Sequence, residues 1–242
     1  MDQAYRQPQY GTYSADQTLA QINAFMRRVY NWMAVGLGLS ALAAWLVTSS
    51  EAIFFTFINP QTGAPTMAYW VVLLGQFGLV IALGTGIRRF QVGTASALFI
   101  LYASLNGIFL APVLLMYTQA SVFKAFLITA GTFGITSIWA STTKKDLSSM
   151  GSFLFMGLIG VILASVVNIF LQSPMMDWII SIVGVGVFIG LTAYDTQKLR
   201  AMVLEAANEV TVSKMAIFGA LQLYLDFINL FLLLLRLFGD RR

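Results

Sequence analysis

The sequence contains no cysteine and no histidine, and charged residues make up only 10% of its 242 positions. Without cysteine, the chain has no disulfide, no thiolate nucleophile and no cysteine metal site. Without histidine, it lacks the side chain that most often titrates near neutral pH and most often binds metal ions. Any proton-sensing group must therefore be a carboxylate.

Hydrophobic residues dominate instead, at 58% of the chain. Long apolar runs recur throughout, and this composition is typical of a helical protein that crosses a membrane several times. The formal net charge of +4 is better explained by basic residues flanking membrane spans than by a nucleic-acid partner. No basic stripe with interleaved aromatic residues is found, which argues against nucleic-acid binding.

The chain divides into a polar tail and one membrane domain. Residues 1–24 are polar and lack the apolar core of a signal peptide, so we expect a cytosolic tail. Residues 25–242 are expected to form a single seven-helix membrane domain. The breaker-rich stretch 49–67 is expected to be an extended loop. The predicted spans are 29–48, 68–87, 94–117, 122–140, 151–171, 178–194 and 215–238.

The positions of lysine and arginine predict a cytoplasmic N-terminus, because basic residues concentrate on the inner side of membrane proteins. With that orientation the outer side receives only four basic residues: Lys124, Arg236, Arg241 and Arg242. A re-entrant last segment would keep the three terminal arginines inside. A full crossing is favoured, since about 20 apolar residues are enough to span the bilayer.

The last apolar segment carries a single acid, Asp226, near its middle. A carboxylate there costs about 2.5–3.5 kcal/mol even on insertion scales. Helical spacing places it on one face with four other residues, and this polar stripe must face protein or water. The stripe consists of Gly219, Gln222, Asp226, Asn229 and Arg236.

Asp195, near the end of the preceding span, is the best partner for Asp226 within the chain. Two carboxylates in a poorly solvated site would share a proton and form a proton-operated latch between two helices. Two alternatives stay open: Asp195 pairs with Lys198, or Asp226 pairs with Arg88 or Arg89. Depth is the difficulty, because Asp226 lies some 12 residues, nearly 20 Å at about 1.5 Å per residue, into its span.

Enzyme activity is not expected. The sequence shows no metal-ligand cluster, no nucleophile with its base and no glycine loop that could cradle a phosphate. No cofactor is expected either. An intramembrane aspartyl protease also uses two membrane acids, but neither acid here lies in a Gly-x-Gly-Asp arrangement, so this remains a minor alternative.

Four motifs resemble the Bax inhibitor-1 family, and its bacterial members in particular. They are Thr-Ala-Tyr-Asp195-Thr-Gln-Lys, Leu-Tyr-Leu-Asp226-Phe-Ile-Asn-Leu-Phe, Lys-Lys-Asp146-Leu-Ser and Leu-Leu-Arg236-Leu-Phe-Gly. The likeness covers the chain from the first span onward. It implies seven helices, with two layers of three wrapped round a central C-terminal helix, in the bacterial inner membrane.

The resemblance also implies a function. It points to a pH-regulated Ca²⁺ leak gated by an aspartate pair, here Asp195 and Asp226, with Arg88 as a supporting counter-ion. Gln76 stands where some members carry a glutamate. Another branch of the family is described as restraining a membrane-bound ATP-dependent protease and affecting stress survival. That alternative would make the protein a regulatory binding partner rather than a channel.

Overall fold

The computed structural model describes residues 15–87 and 89–242, and within them the chain forms eight α-helices. A 3₁₀ turn at Ser148–Met150 precedes the sixth helix, and another at Val203–Glu205 follows the seventh. The helices are α1 Ala15–Thr48, α2 Glu51–Phe57, α3 Met67–Gly86, α4 Val92–Leu115, α5 Gln119–Thr142, α6 Gly151–Leu171, α7 Pro174–Met202 and α8 Glu209–Phe238.

All of these helices except the seven-residue α2 are long and apolar enough to cross a membrane. Each predicted span corresponds to one of them, so the prediction of an all-α membrane protein with seven transmembrane helices is confirmed. The expected loop at 49–67 contains α2. Residues 15–24 of the predicted polar tail form the start of α1, while residues 1–14 lie outside the described residues.

The boundaries around the last two spans differ from the prediction. The sequence predicts a polar stretch at 195–214, but α7 continues to Met202 and α8 begins at Glu209. Asn208 caps α8, because its side chain accepts a hydrogen bond from the Thr211 N–H at 2.9 Å. Asp195 is a buried residue of α7. The start of the polar stretch at 195–214 is therefore part of a helix that packs against protein, not a loop.

Helix α8 lies at the centre of the bundle. Its most apolar window is 72% buried within the protein, against at most 39% for any other span. It packs against α1, α4, α5 and α7, while α3 packs mainly on α4 and α6 mainly on α7. A helix that is apolar almost all round is stable when other helices enclose it. The arrangement of the outer helices as two layers of three stays a prediction.

The two ends of α8 lie at opposite ends of the bundle. Its start is close to the first half of α1, where Arg28 forms an ion pair with Glu209. Its last residues meet the α4–α5 turn, where the Thr118 N–H donates to Asp240 O at 3.1 Å. The last helix therefore runs from one end of the bundle to the other, which is the arrangement expected of a full crossing. We call these ends the amino end and the carboxyl end of the bundle; which of them faces the cytoplasm stays a prediction.

Candidate functional site

The register between α7 and α8 places the two aspartates at similar depths. A Cβ at Gly219 would lie 2.8 Å from Leu199 Cδ2, so these residues face each other. The helices run antiparallel, and one turn further into the bundle Gln222 Nε2 lies 3.5 Å from Asp195 Oδ1. Asp226 is four residues beyond Gln222, so it lies only about one helical turn, roughly 6 Å, deeper than Asp195.

The nearly 20 Å offset suggested by the sequence arose from the misplaced helix ends. Because α7 runs eight residues past the predicted end of its span at residue 194, Asp195 lies well inside a helix rather than at a membrane edge. The carboxylates of Asp195 and Asp226 are accordingly both buried, with 8% and 5% of each residue exposed. The structure thus places both aspartates on adjacent helices, buried and at similar depths, while their pairing through a shared proton stays a prediction.

Both aspartates line a cavity of about 760 Å³ between α6 and α8, which we call the central cavity. Helix α6 contributes an apolar wall, because Phe155, Ile162 and Ile169 recur at helical spacing along it. Ser165 of α6 contributes one polar group, and α7 and α8 contribute the others. They are Tyr194, Asp195, Lys198, Gln222, Asp226, Asn229 and Arg236.

The hydrogen bonds of the site leave acceptor oxygens unused. The contact from Gln222 Nε2 to Asp195 Oδ1, at 3.5 Å, is long for a hydrogen bond. Among the described residues, Asp226 Oδ2 and Gln222 Oε1 are buried without a hydrogen-bond partner. Buried polar atoms normally have partners, so two adjacent acceptors that lack them favour a proton, a water molecule or a cation at this point.

The basic side chains near the site do not form ion pairs with the aspartates among the described residues. Lys198 lies one turn from Asp195 on α7 and acts on it electrostatically, while its Nζ lies 5.7 Å from the centre of the Tyr194 ring. Among the described residues, neither aspartate has a basic nitrogen within 4 Å. Arg88, the predicted counter-ion, lies outside the described residues, and Arg89 is exposed.

Arg236, the last member of the predicted stripe, lies at the carboxyl end of the cavity and forms a different ion pair. Its Nη1 lies 3.5 Å from Asp177 Oδ1 in the first turn of α7. Asn229 donates its side-chain N–H to the Leu225 carbonyl oxygen at 2.8 Å. The polar stripe therefore divides into an acidic half near Asp226 and an internally paired half nearer Arg236.

A second polar network lies on the opposite face of α8. Tyr224 Oη lies 2.6 Å from Ser40 Oγ and donates to Asn106 Oδ1 at 3.1 Å. Asn106 Nδ2 in turn donates to Gln76 Oε1 at 2.9 Å. The helices α1, α3, α4 and α8 are joined by this chain of neutral groups. Sequence reasoning named Gln76 but missed Ser40 and Tyr224.

No metal centre is formed by clustered ligands within residues 15–87 and 89–242. No group of three or more histidine, cysteine, aspartate or glutamate side chains there could hold a metal ion. The side-chain oxygen atoms that line the central cavity come from two carboxylates, two amides and two hydroxyls: Asp195, Asp226, Gln222, Asn229, Ser165 and Tyr194. Oxygen atoms are the ligands that Ca²⁺ prefers.

Comparison with known proteins agrees with this architecture. The family model described as inhibitor of apoptosis-promoting Bax1 matches residues 22–242, which include every described span. The chain belongs to the Bax inhibitor-1 family. The family resemblance drawn from the four sequence motifs is therefore confirmed, and both cavity aspartates lie inside the matched region.

Several bacterial proteins are similar to this chain over almost its whole length. The inner membrane protein YbhL of Escherichia coli is 44% identical over 228 residues, covering 93% of this chain and 95% of that protein. A protein of Borreliella burgdorferi is 43% identical over 223 residues, covering 91% and 93%. One from Deinococcus radiodurans is 40% identical over 225 residues, covering 93% and 94%.

Proposed function

We propose that this Bax inhibitor-1 family protein is a pH-regulated Ca²⁺ leak channel, not an enzyme, in the bacterial inner membrane. The single observation that carries the proposal is that two buried carboxylates line one cavity between α6 and α8. Asp226 Oδ2 and Gln222 Oε1 leave two unpaired acceptors there. The location is proposed from the similarity to YbhL, which is an inner membrane protein.

In the proposed mechanism the aspartate pair is both sensor and gate. When Asp195 and Asp226 share one proton, the pair ties α7 to α8 and carries a single negative charge. Loss of that proton gives two facing carboxylates, which repel each other and attract a divalent cation. Lys198 and Arg236, at the two ends of the same cavity, are the other charged groups that line it among the described residues.

Three cavities that share lining residues support the proposal. A cavity of about 520 Å³ at the amino end shares Tyr194 and Lys198 with the central cavity. A cavity of about 710 Å³ at the carboxyl end shares Ser165, Ile169 and Arg236 with it. The three cavities form a row from one end of the protein to the other, and the aspartates lie along its middle section.

Ca²⁺ flux in reconstituted liposomes tests the proposal. The wild-type protein is expected to conduct Ca²⁺ with a rate that depends on pH, and Asp226→Asn is expected to change that dependence. Asp16→Asn is the matched control, because Asp16 is an exposed acid in the first turn of α1. Equal flux without pH dependence in the wild type and in Asp226→Asn would refute the aspartate gate.

Regulation of a membrane-bound ATP-dependent protease, the alternative from the family resemblance, makes a different prediction. Under that function both the wild type and Asp226→Asn would bind the protease alike, and the polar tail would matter more than either aspartate. Deleting residues 1–24 and measuring protease turnover separates the two functions. A change in turnover with unchanged Ca²⁺ flux would favour the regulator.

A further inference from the structure

The cavity at the carboxyl end has the lining expected of a phospholipid headgroup site. Arg236 and Arg241 supply two positive charges, and Ser165 and Asn168 supply further polar groups. Trp178 lies at its rim with 60% of the residue exposed. Tryptophan is enriched where the hydrocarbon meets the headgroups of a bilayer, and arginine pairs well with phosphate.

The net charge of this site favours an anion. Asp177 is its one acid among the described lining residues, and it already accepts from Asn168 Nδ2 at 2.9 Å and lies 3.5 Å from Arg236 Nη1. One arginine charge is therefore balanced, and the charge of Arg241 is left over. Arg241 lies over the ring of Tyr117, with Cζ 6.0 Å from its centre, which holds the guanidinium near the cavity.

Beyond Arg236 this headgroup site continues into the central cavity, whose α6 wall is not covered by protein. Phe155, Ile162 and Ile169 line that wall and are 59%, 52% and 68% exposed. Since α6 packs mainly on α7, the space between α6 and α8 stays open. In a bilayer, the hydrocarbon chains of lipids contact such an exposed apolar wall.

The half of the central cavity next to Arg236 suits an acyl chain, while the half next to Asp195 does not. In the Arg236 half, Ser165 Oγ donates to the Val161 carbonyl oxygen at 2.7 Å, and Asn229 donates to that of Leu225. Hydrocarbon there would leave those donors satisfied. In the other half, the unpaired oxygens of Asp226 and Gln222 need a polar neighbour.

The length of this apolar half matches one leaflet. Asp226 and Arg236 are ten residues apart on α8, which is about 15 Å along the helix. One leaflet is half of a hydrocarbon core of about 30 Å, also roughly 15 Å. A chain whose headgroup lies at Arg236 would therefore end beside Asp226.

We propose that an anionic phospholipid binds here, with its phosphate at Arg236 and Arg241 and one acyl chain lying between α6 and α8 as far as Asp226. The site does not depend on the leak function. If the leak function holds, the bound chain occupies the same row of cavities as the ion, and anionic lipid lowers the flux.

Lipid retention by the purified full chain tests the site. The protein is placed in nanodiscs of phosphatidylcholine with a minor fraction of phosphatidylglycerol, released, and analysed by native mass spectrometry. The wild type is expected to retain phosphatidylglycerol in preference to phosphatidylcholine. In the double variant Arg236→Gln/Arg241→Gln this preference is expected to be about tenfold lower. The matched control is Arg27→Gln/Arg242→Gln, which removes two exposed charges outside these cavities.

Two further measurements separate the chain from the charge. Ile162→Trp fills the apolar half without touching an arginine, and it is expected to lower retention while the protein keeps its thermal stability. Inorganic phosphate at millimolar concentration is expected not to displace the lipid. Equal retention by the two double variants, or full displacement by phosphate, would overturn the proposal. Neither readout involves ion flux, so failure of the leak function leaves this test unaffected.

Discussion

The two faces of α8 differ in whether their buried polar groups have hydrogen-bond partners. On one face, Tyr224 is fully buried and its hydroxyl contacts Ser40 and Asn106. On the other, Asp226 is almost as buried and lines the central cavity, yet its Oδ2 has no hydrogen-bond partner among the described residues. The two residues are only two positions apart, so they lie at nearly the same depth.

This difference distinguishes a largely paired network from a candidate functional site. In the Tyr224 network, Ser40, Asn106 and Tyr224 are hydrogen-bonded, and among the described residues only Gln76 Nε2 at its end is buried without a partner. Such a network holds helices in one arrangement, and each member that is lost leaves another without a partner. A buried carboxylate with a free oxygen is costly in a membrane, and such residues typically mark ion or proton pathways. Mutations on the Tyr224 face should therefore affect stability, and those on the Asp226 face should affect function.

The largest effect is expected from Tyr224→Ala. It removes a fully buried ring and its hydrogen bonds, and should lower the free energy of unfolding by about 3–5 kcal/mol. Unfolding in mixed detergent micelles measures this. Tyr224→Phe keeps the ring and should cost only about 1–2 kcal/mol. Equal losses in both variants would show that the hydroxyl, not the packing, dominates this face.

Gly107→Ala should have the next largest effect, about 1–3 kcal/mol from overpacking. A Cβ at Gly107 would lie 2.2 Å from the Ser40 carbonyl oxygen, so α1 and α4 would have to separate and Ser40 would move from Tyr224. The same unfolding assay measures the loss. Gly38→Ala serves as the control, because a Cβ at Gly38 meets nothing within 4 Å.

Asp226→Asn should change stability by less than about 1 kcal/mol, because an amide of the same shape fills the same cavity. Its effect should be confined to the pH dependence of Ca²⁺ flux. Unfolding and flux measured on the same preparation check both parts. A stability loss as large as that of Tyr224→Ala would contradict the proposed division between the two faces.

The smallest effect is expected at Asp146, an exposed carboxylate outside the spans. The Ser148 backbone N–H donates to Asp146 Oδ1 at 2.9 Å and lowers the pKa of this carboxyl below its usual value. A lowered pKa in the folded state adds stability above the usual pKa of aspartate, and that stability is lost as pH falls through the lowered value. Asp146→Asn should abolish only this weak acid-side dependence, as thermal unfolding at several pH values would show.

The class of the protein and its candidate residues could be predicted from the sequence alone. Hydrophobic length is a local property, and for this reason the seven spans could be predicted before any tertiary structure was known. Asp226 was identified by the same logic, since a lone acid in an apolar run needs a partner wherever the run folds. Asp195 followed as the nearest acid on the preceding span, and the family motifs strengthened the pairing.

The relative positions of these residues, in contrast, depend on how the helices pack. The depth of Asp195 relative to Asp226 depends on where α7 ends and α8 begins. Both boundaries lie within the polar stretch at 195–214, where hydrophobic length does not indicate them. The Asp177 partner of Arg236 and the contact between Ser40 and Tyr224 join residues that are far apart in the chain. Such contacts arise from the register and spacing of packed helices, which local periodicity does not contain.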